Sequence, residues 1–104
     1  NVVEANLLAA SGPAERVNGQ AVNVGAGART SLLELARLIG EVSGRPLAVE
    51  HRAPREGDVR DSLASCERAE AVLGYRPRVS LREGLAHAWD WFVTRNAPAG
   101  ASAA

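Results

Sequence analysis

Apolar residues recur every three to four positions along most of this chain, the spacing that lines one face of an α-helix. In residues 2–10, Val3, Leu7 and Ala10 share a face and Leu8 widens it. This predicts a helix, which Ser11-Gly12-Pro13 stops. Residues 12–19 read as a polar connection ending in Asn18-Gly19. The pattern then changes. Gln20-Ala21-Val22-Asn23-Val24 alternates, which predicts a short strand with Val22 and Val24 on one face.

The clearest helix opens at Ser31. With Glu34 three residues on, it forms a capping box, in which each side chain satisfies an orphan amide of the first turn. Leu32, Leu35, Ala36, Ile39 and Val42 follow at helical spacing, and Ser43-Gly44 with Pro46 ends the run. Residues 47–51 read as a second short strand. Ser65 can cap a helix at about 66–73, with Cys66, Ala69, Val72 and Leu73 inward and Gly74-Tyr75-Arg76-Pro77 as its stop. Ser80 with Glu83 is a second capping box. It opens a last helix at about 81–94 that places Leu81, Leu85, Ala88, Trp89 and Phe92 on one stripe and Trp91 off it, only partly covered. Residues 95–104 read as a flexible tail.

The two lone strands need sheet neighbours that the chain does not supply, so a partner segment is expected. The chain also enters a helical pattern directly, without an initiator methionine, and we expect a preceding N-terminal part. Composition narrows the class further. The 104 residues are 46% hydrophobic and 23% charged, which suits one ordinary domain or part of a larger one. Twelve basic and twelve acidic residues balance, so no broad field favours nucleic acid or an anionic membrane. One cysteine excludes an internal disulfide and a multi-cysteine metal site, and neither His51 nor His87 has a second ligand at metal spacing. With no apolar run of spanning length and no leader pattern, no membrane association and a cytoplasmic location are expected.

The candidate chemistry lies in Ala53-Pro54-Arg55-Glu56-Gly57-Asp58-Val59-Arg60-Asp61-Ser62. Pro54 ends what precedes it, and Gly57 allows a tight turn. Arg55 and Arg60 are fork-shaped donors for phosphate or carboxylate, and Asp58 accepts from hydroxyls or a base edge. The competing reading is a surface ion pair between Arg55 and Asp58. Arg60 and Asp61 divide evenly between fixing the loop and serving the site. Gly25-Ala26-Gly27, ahead of the Ser31 helix, looks like the start of a dinucleotide-binding turn, with Glu50 as the acid after the next strand. Thr30 stands where the third glycine would be, and the capping box occupies the first-turn amides, so a plain turn is the preferred reading.

Six motifs, taken in order, resemble one family. They are Val2-Val3-Glu4-Ala5-Asn6, Val22-Asn23-Val24-Gly25-Ala26-Gly27, Thr30-Ser31-Leu32-Leu33-Glu34-Leu35, Arg55-Glu56-Gly57-Asp58-Val59-Arg60, Leu73-Gly74-Tyr75-Arg76-Pro77 and Leu81-Arg82-Glu83-Gly84-Leu85. Residues 1–94 resemble the C-terminal part of an NAD-dependent sugar-nucleotide epimerase/dehydratase, an extended short-chain dehydrogenase of the UDP-glucose 4-epimerase type. The resemblance implies an α/β fold, here a C-terminal fragment of an extended Rossmann-type chain, mostly helical with a few short strands. It implies NAD held by an absent N-terminal Rossmann part, a UDP-sugar substrate, and a homodimer at full length. It places Arg55 on the nucleotide diphosphate and Asp58 on the ribose or nearby base, with Arg60 an additional candidate. Asn23 would end a strand of the parallel sheet. Asn1 and Ser65 stand where the family usually has aspartates.

The family's Tyr-x-x-x-Lys pair is absent. The only tyrosine is Tyr75, its fourth neighbour is Val79, and the chain contains no lysine. The fragment alone is therefore expected to be inactive. A 4,6-dehydratase or reductase of the same superfamily is the first alternative. A non-catalytic module that binds a partner through its Leu/Trp helix faces is the second.

Overall fold

The structure is a computed structural model that describes residues 1–96. Among them the chain forms helices α1 (Val2–Ser11), α2 (Ala14–Val17), α3 (Leu32–Ser43), α4 (Glu67–Leu73) and α5 (Leu81–Arg95). It divides into two compact units, one built from 1–29 and 52–80, the other from 30–51 and the segment beginning at Leu81.

In the first unit, α1 and α2 each pack against α4. Ala5, Ala69 and Tyr75 are buried, and Leu8, Val22, Val24, Cys66 and Leu73 pack around them. The helix at 2–10 is present, but the face assigned to the core is not the one that is covered. Val3 and Leu7 are 71% and 65% exposed, whereas Ala5 is buried. Both sides of α1 carry apolar residues, and the small Ala5 allows the closer approach to α4. Asn1 ties the start of α1 to a distant segment. Its Oδ1 accepts from the amides of Arg78 and Val79 (3.1 and 3.0 Å), and its Nδ2 donates to the Val79 carbonyl (2.8 Å). Within residues 12–19, expected to be a polar connection, α2 forms a single turn, with the amides of Arg16 and Val17 bonded to the Pro13 carbonyl. Val17 closes over Gly12, where an added Cβ would lie 2.6 Å from its Cγ2.

The predicted strands at 20–24 and 47–51 are not formed among the described residues. A strand exists only through the ladder of a neighbour, and none is present to pair with either segment. The alternation of the first survives as burial: Val22 and Val24 are half-buried, and Ala21 and Asn23 are exposed. Asn23 therefore ends no strand here. In the second segment, Leu47 and Val49 are both exposed.

The second unit packs α3 against α5. The Ser31 Oγ accepts from the Glu34 amide at 3.1 Å, as the capping box requires, and Gly44 ends α3 in the left-handed conformation (φ +64°). Leu35, Leu38, Ile39 and Val42 are half-buried, but Leu32, in the first turn, is 83% exposed. Glu41 on α3 accepts from Arg37 on the same helix and from Arg82 on α5. On α5, Leu85 and Trp89 are half-buried and Trp89 stacks on Phe92, their ring centroids 5.9 Å apart. Trp91 is exposed, with the Arg95 guanidinium over its ring. Of the expected tail, Arg95 belongs to α5 and the Asn96 amide bonds to the Phe92 carbonyl. Residues 97–104 lie outside the described residues. No helix among the described residues is long and apolar enough to cross a membrane.

Candidate functional site

The segment singled out by its residue types forms a turn in the first unit. The Asp58 amide donates to the Arg55 carbonyl at 3.3 Å, and Gly57 sits at φ +87°, a conformation that side chains with a Cβ rarely adopt. Arg55 and Asp58 thus leave one tight turn, three residues apart. Both are exposed, as is Arg60. Among the described residues none of these three side chains makes a hydrogen bond or ion pair. The competing reading, an ion pair between Arg55 and Asp58, is not what forms. Two guanidinium forks and one carboxylate stand in solvent, a donor and acceptor set suited to an anionic ligand that also carries hydroxyls.

Asp61 behaves differently. Its Oδ2 lies 3.0 Å from Nη1 of Arg29, in an ion pair exposed to solvent. The far end of the segment is fastened at Gly25. The Cys66 thiol donates to the Gly25 carbonyl at 3.5 Å, and an added Cβ on Gly25 would lie 3.7 Å from that of Ala64. The Tyr75 phenol donates to the same carbonyl at 2.8 Å. Its burial pushes the phenol above the ordinary value, with smaller pushes from Cys66 and Glu4.

These bonds decide the glycine-rich loop. Gly27 adopts φ +70°, as a turn needs, and the Gly25 carbonyl serves as an anchor for α4 and the residue after its stop. At the α3 N-terminus the Glu34 amide is already held by Ser31. Nothing among the described residues shows a site for NAD. No group of three or more His, Cys, Asp or Glu side chains among the described residues is placed to hold a metal.

A cleft of about 450 Å³ lies between α3 and α5 in the second unit, lined by Ile39, Val42, Leu85, Trp89 and Phe92. Among the described residues its lining is aliphatic and aromatic.

Sequence reasoning missed two structural ties. The Arg29–Asp61 pair joins residues too far apart for any local pattern to signal it. Tyr75 was read as part of a helix stop and of a family motif, not as a core residue; an aromatic directly after the helix-ending Gly74 was the available signal.

No family model matches the chain. No solved structure matches it either. Among curated proteins, a UDP-glucose 4-epimerase from Mycolicibacterium smegmatis is 42% identical over 96 residues, covering 92% of this chain and 30% of that protein. A UDP-glucose 4-epimerase from Rhizobium leguminosarum bv. trifolii is 42% identical over 76 residues, or 73% of this chain and 23% of its own length. A dTDP-L-rhamnose 4-epimerase from Burkholderia thailandensis is 35% identical over 71 residues, covering 68% of this chain and 20% of that protein. The chain thus spans less than a third of the length of each of these relatives.

Proposed function

Because the chain belongs by homology with the UDP-glucose 4-epimerases, we propose that it is the C-terminal, substrate-binding part of an NAD-dependent nucleotide-sugar 4-epimerase. The observation that carries this reading is the Arg55–Asp58 turn, which presents a free guanidinium and a free carboxylate within a chain of that ancestry. Arg55 grips the diphosphate, where a planar fork gives bidentate, charge-assisted bonds. Asp58 accepts from the neighbouring ribose hydroxyls, and Arg60 adds a second positive charge close by. Holding the nucleotide far from the reacting carbon turns remote binding energy into positioning of the sugar.

NAD and the proton-transferring residues belong to the rest of the parent, which we expect to act as a homodimer on a UDP-sugar. The chain by itself is inactive on this account. Tyr75 is buried and bonded to a backbone carbonyl, and there is no lysine to pair with it. The 4-epimerases among its relatives favour epimerisation over a 4,6-dehydratase or reductase activity.

The apolar cleft of the second unit favours a second reading, a non-catalytic interaction module. The two separate on one experiment. The complete coding frame is expressed and assayed with UDP-glucose, beside the 104-residue chain. Our reading expects interconversion of the 4-epimers by the complete protein and none by the short chain. A complete protein without that activity, or an active short chain, overturns it.

A further inference from the structure

We infer that Arg29 and Asp61 are positioning residues, whose ion pair holds the Arg55–Asp58 turn in the attitude that meets a nucleotide diphosphate. The inference rests on the substrate-site reading above. Between Ala53 and Ala64 the charged side chains are Arg55, Glu56, Asp58, Arg60 and Asp61. Among the described residues the first four make no hydrogen bond or ion pair, whereas Asp61 meets Arg29 at 3.0 Å. The same stretch that supplies Arg29 also supplies Gly25, to whose carbonyl the Cys66 thiol donates. The segment is thus fastened at two points to residues 25–29. One fastening is the Cys66 thiol on the Gly25 carbonyl, beside the core. The other is by charge at Asp61, three residues from Asp58.

The two fastenings do different work. The packed one is part of the core around Tyr75 and Ala69 and serves the fold. The charged one is open to solvent, both side chains being more than 60% exposed, and an exposed pair adds little to global stability. A local tie of that strength still biases how often a neighbouring turn presents its ligands, and so scales binding by the population of the competent state. Because Asp61 neutralises it, Arg29 is a support for the site and not a further phosphate ligand.

The test uses the complete protein with UDP-glucose and measures KM and kcat for Arg29→Ala, Asp61→Asn and the charge exchange R29D/D61R, with Arg55→Ala alongside. The expected result is a KM raised about two- to fivefold in each single variant, the range an exposed pair can supply. The same result includes little change in kcat, an unchanged melting temperature, and recovery in the exchange. High salt should shrink the difference between wild type and the single variants. Asp61→Asn tells positioning from direct binding. If Arg29 were a phosphate ligand restrained by Asp61, this variant would bind UDP-glucose more tightly, and the inference would be overturned. Unchanged KM in both single variants with a raised KM in Arg55→Ala sinks the inference and leaves the site reading standing. Unchanged KM in Arg55→Ala sinks both.

Discussion

The Tyr75 phenol donates to the Gly25 carbonyl at 2.8 Å, joining the residue after the Gly74 stop of α4 to a glycine 50 positions earlier. This bond makes the glycine-rich loop a structural anchor. Tyr75→Phe removes the donor and keeps the ring. It should lower the stability of the folded unit by about 1–2 kcal/mol, the cost of a lost hydrogen bond to a carbonyl left short of partners. Urea midpoints of the two proteins check it; equal midpoints would show that the bond contributes nothing.

The same tyrosine gives an alkaline prediction. Burial holds its pKa above the ordinary 10.0, so the folded state keeps the proton more tightly than the unfolded state does. Its stabilising contribution is complete below about pH 10 and is lost as pH rises through the folded-state value. The chain has one tyrosine, so the change in phenolate absorbance on ionisation reports this group. A midpoint at 10 in the folded protein would contradict the burial of Tyr75.

Asn1 uses both ends of its amide on one short segment, accepting twice and donating once to residues 78–79. Asn1→Ala should destabilise by about 1–3 kcal/mol, because backbone groups lose their partners. Asn1→Asp keeps the acceptor, loses only the donation to Val79, and adds a favourable charge at the start of α1, so its cost should be clearly smaller. Thermal midpoints of both variants decide; an aspartate as damaging as alanine would show that the donated bond dominates.

Within the second unit, Ser31→Ala removes the cap on Glu34 and should cost about 1 kcal/mol, read as lost helicity and a lower urea midpoint. The α3–α5 pairing also has an acid limb. The hydrogen bond from Arg82, aided by Arg37, holds the Glu41 carboxyl below its ordinary 4.5. Its contribution is therefore present above about pH 4.5 and is lost as pH falls through the lower folded-state value. Glu41→Gln should flatten the fall in melting temperature between pH 5 and 3, and salt should weaken the effect in the wild type. An unaltered acid limb would remove Glu41 from the account.

The helices were legible wherever spacing and punctuation agreed. Ser31 and Gly44 bracket α3, and Gly74 ends α4, each for a reason that acts within a few residues. What spacing cannot supply is which side of a helix meets a neighbour when both sides are apolar. That is why Val3 and Leu7 were placed inward and Ala5 was not. The alternation at Val22 and Val24 was read correctly as one-sided burial and wrongly as a strand, since a ladder depends on a second segment. At the candidate site, residue type singled out the Arg55–Asp58 stretch, because a guanidinium and a carboxylate across a glycine are local features, but the roles proposed for them came only with the family resemblance. The Arg29–Asp61 tie was not legible, because it depends on how 25–29 and 53–66 fold against each other.

On the proposed function, Arg55 holds the diphosphate of a nucleotide sugar. The most direct measurement is the KM for UDP-glucose of the complete protein carrying Arg55→Ala, with NAD affinity measured in parallel. Loss of charge-assisted bonds worth about 1.5–3 kcal/mol predicts a KM raised roughly ten- to a hundredfold, with NAD affinity unchanged. An unchanged KM, or an equal loss of NAD affinity, would contradict the account.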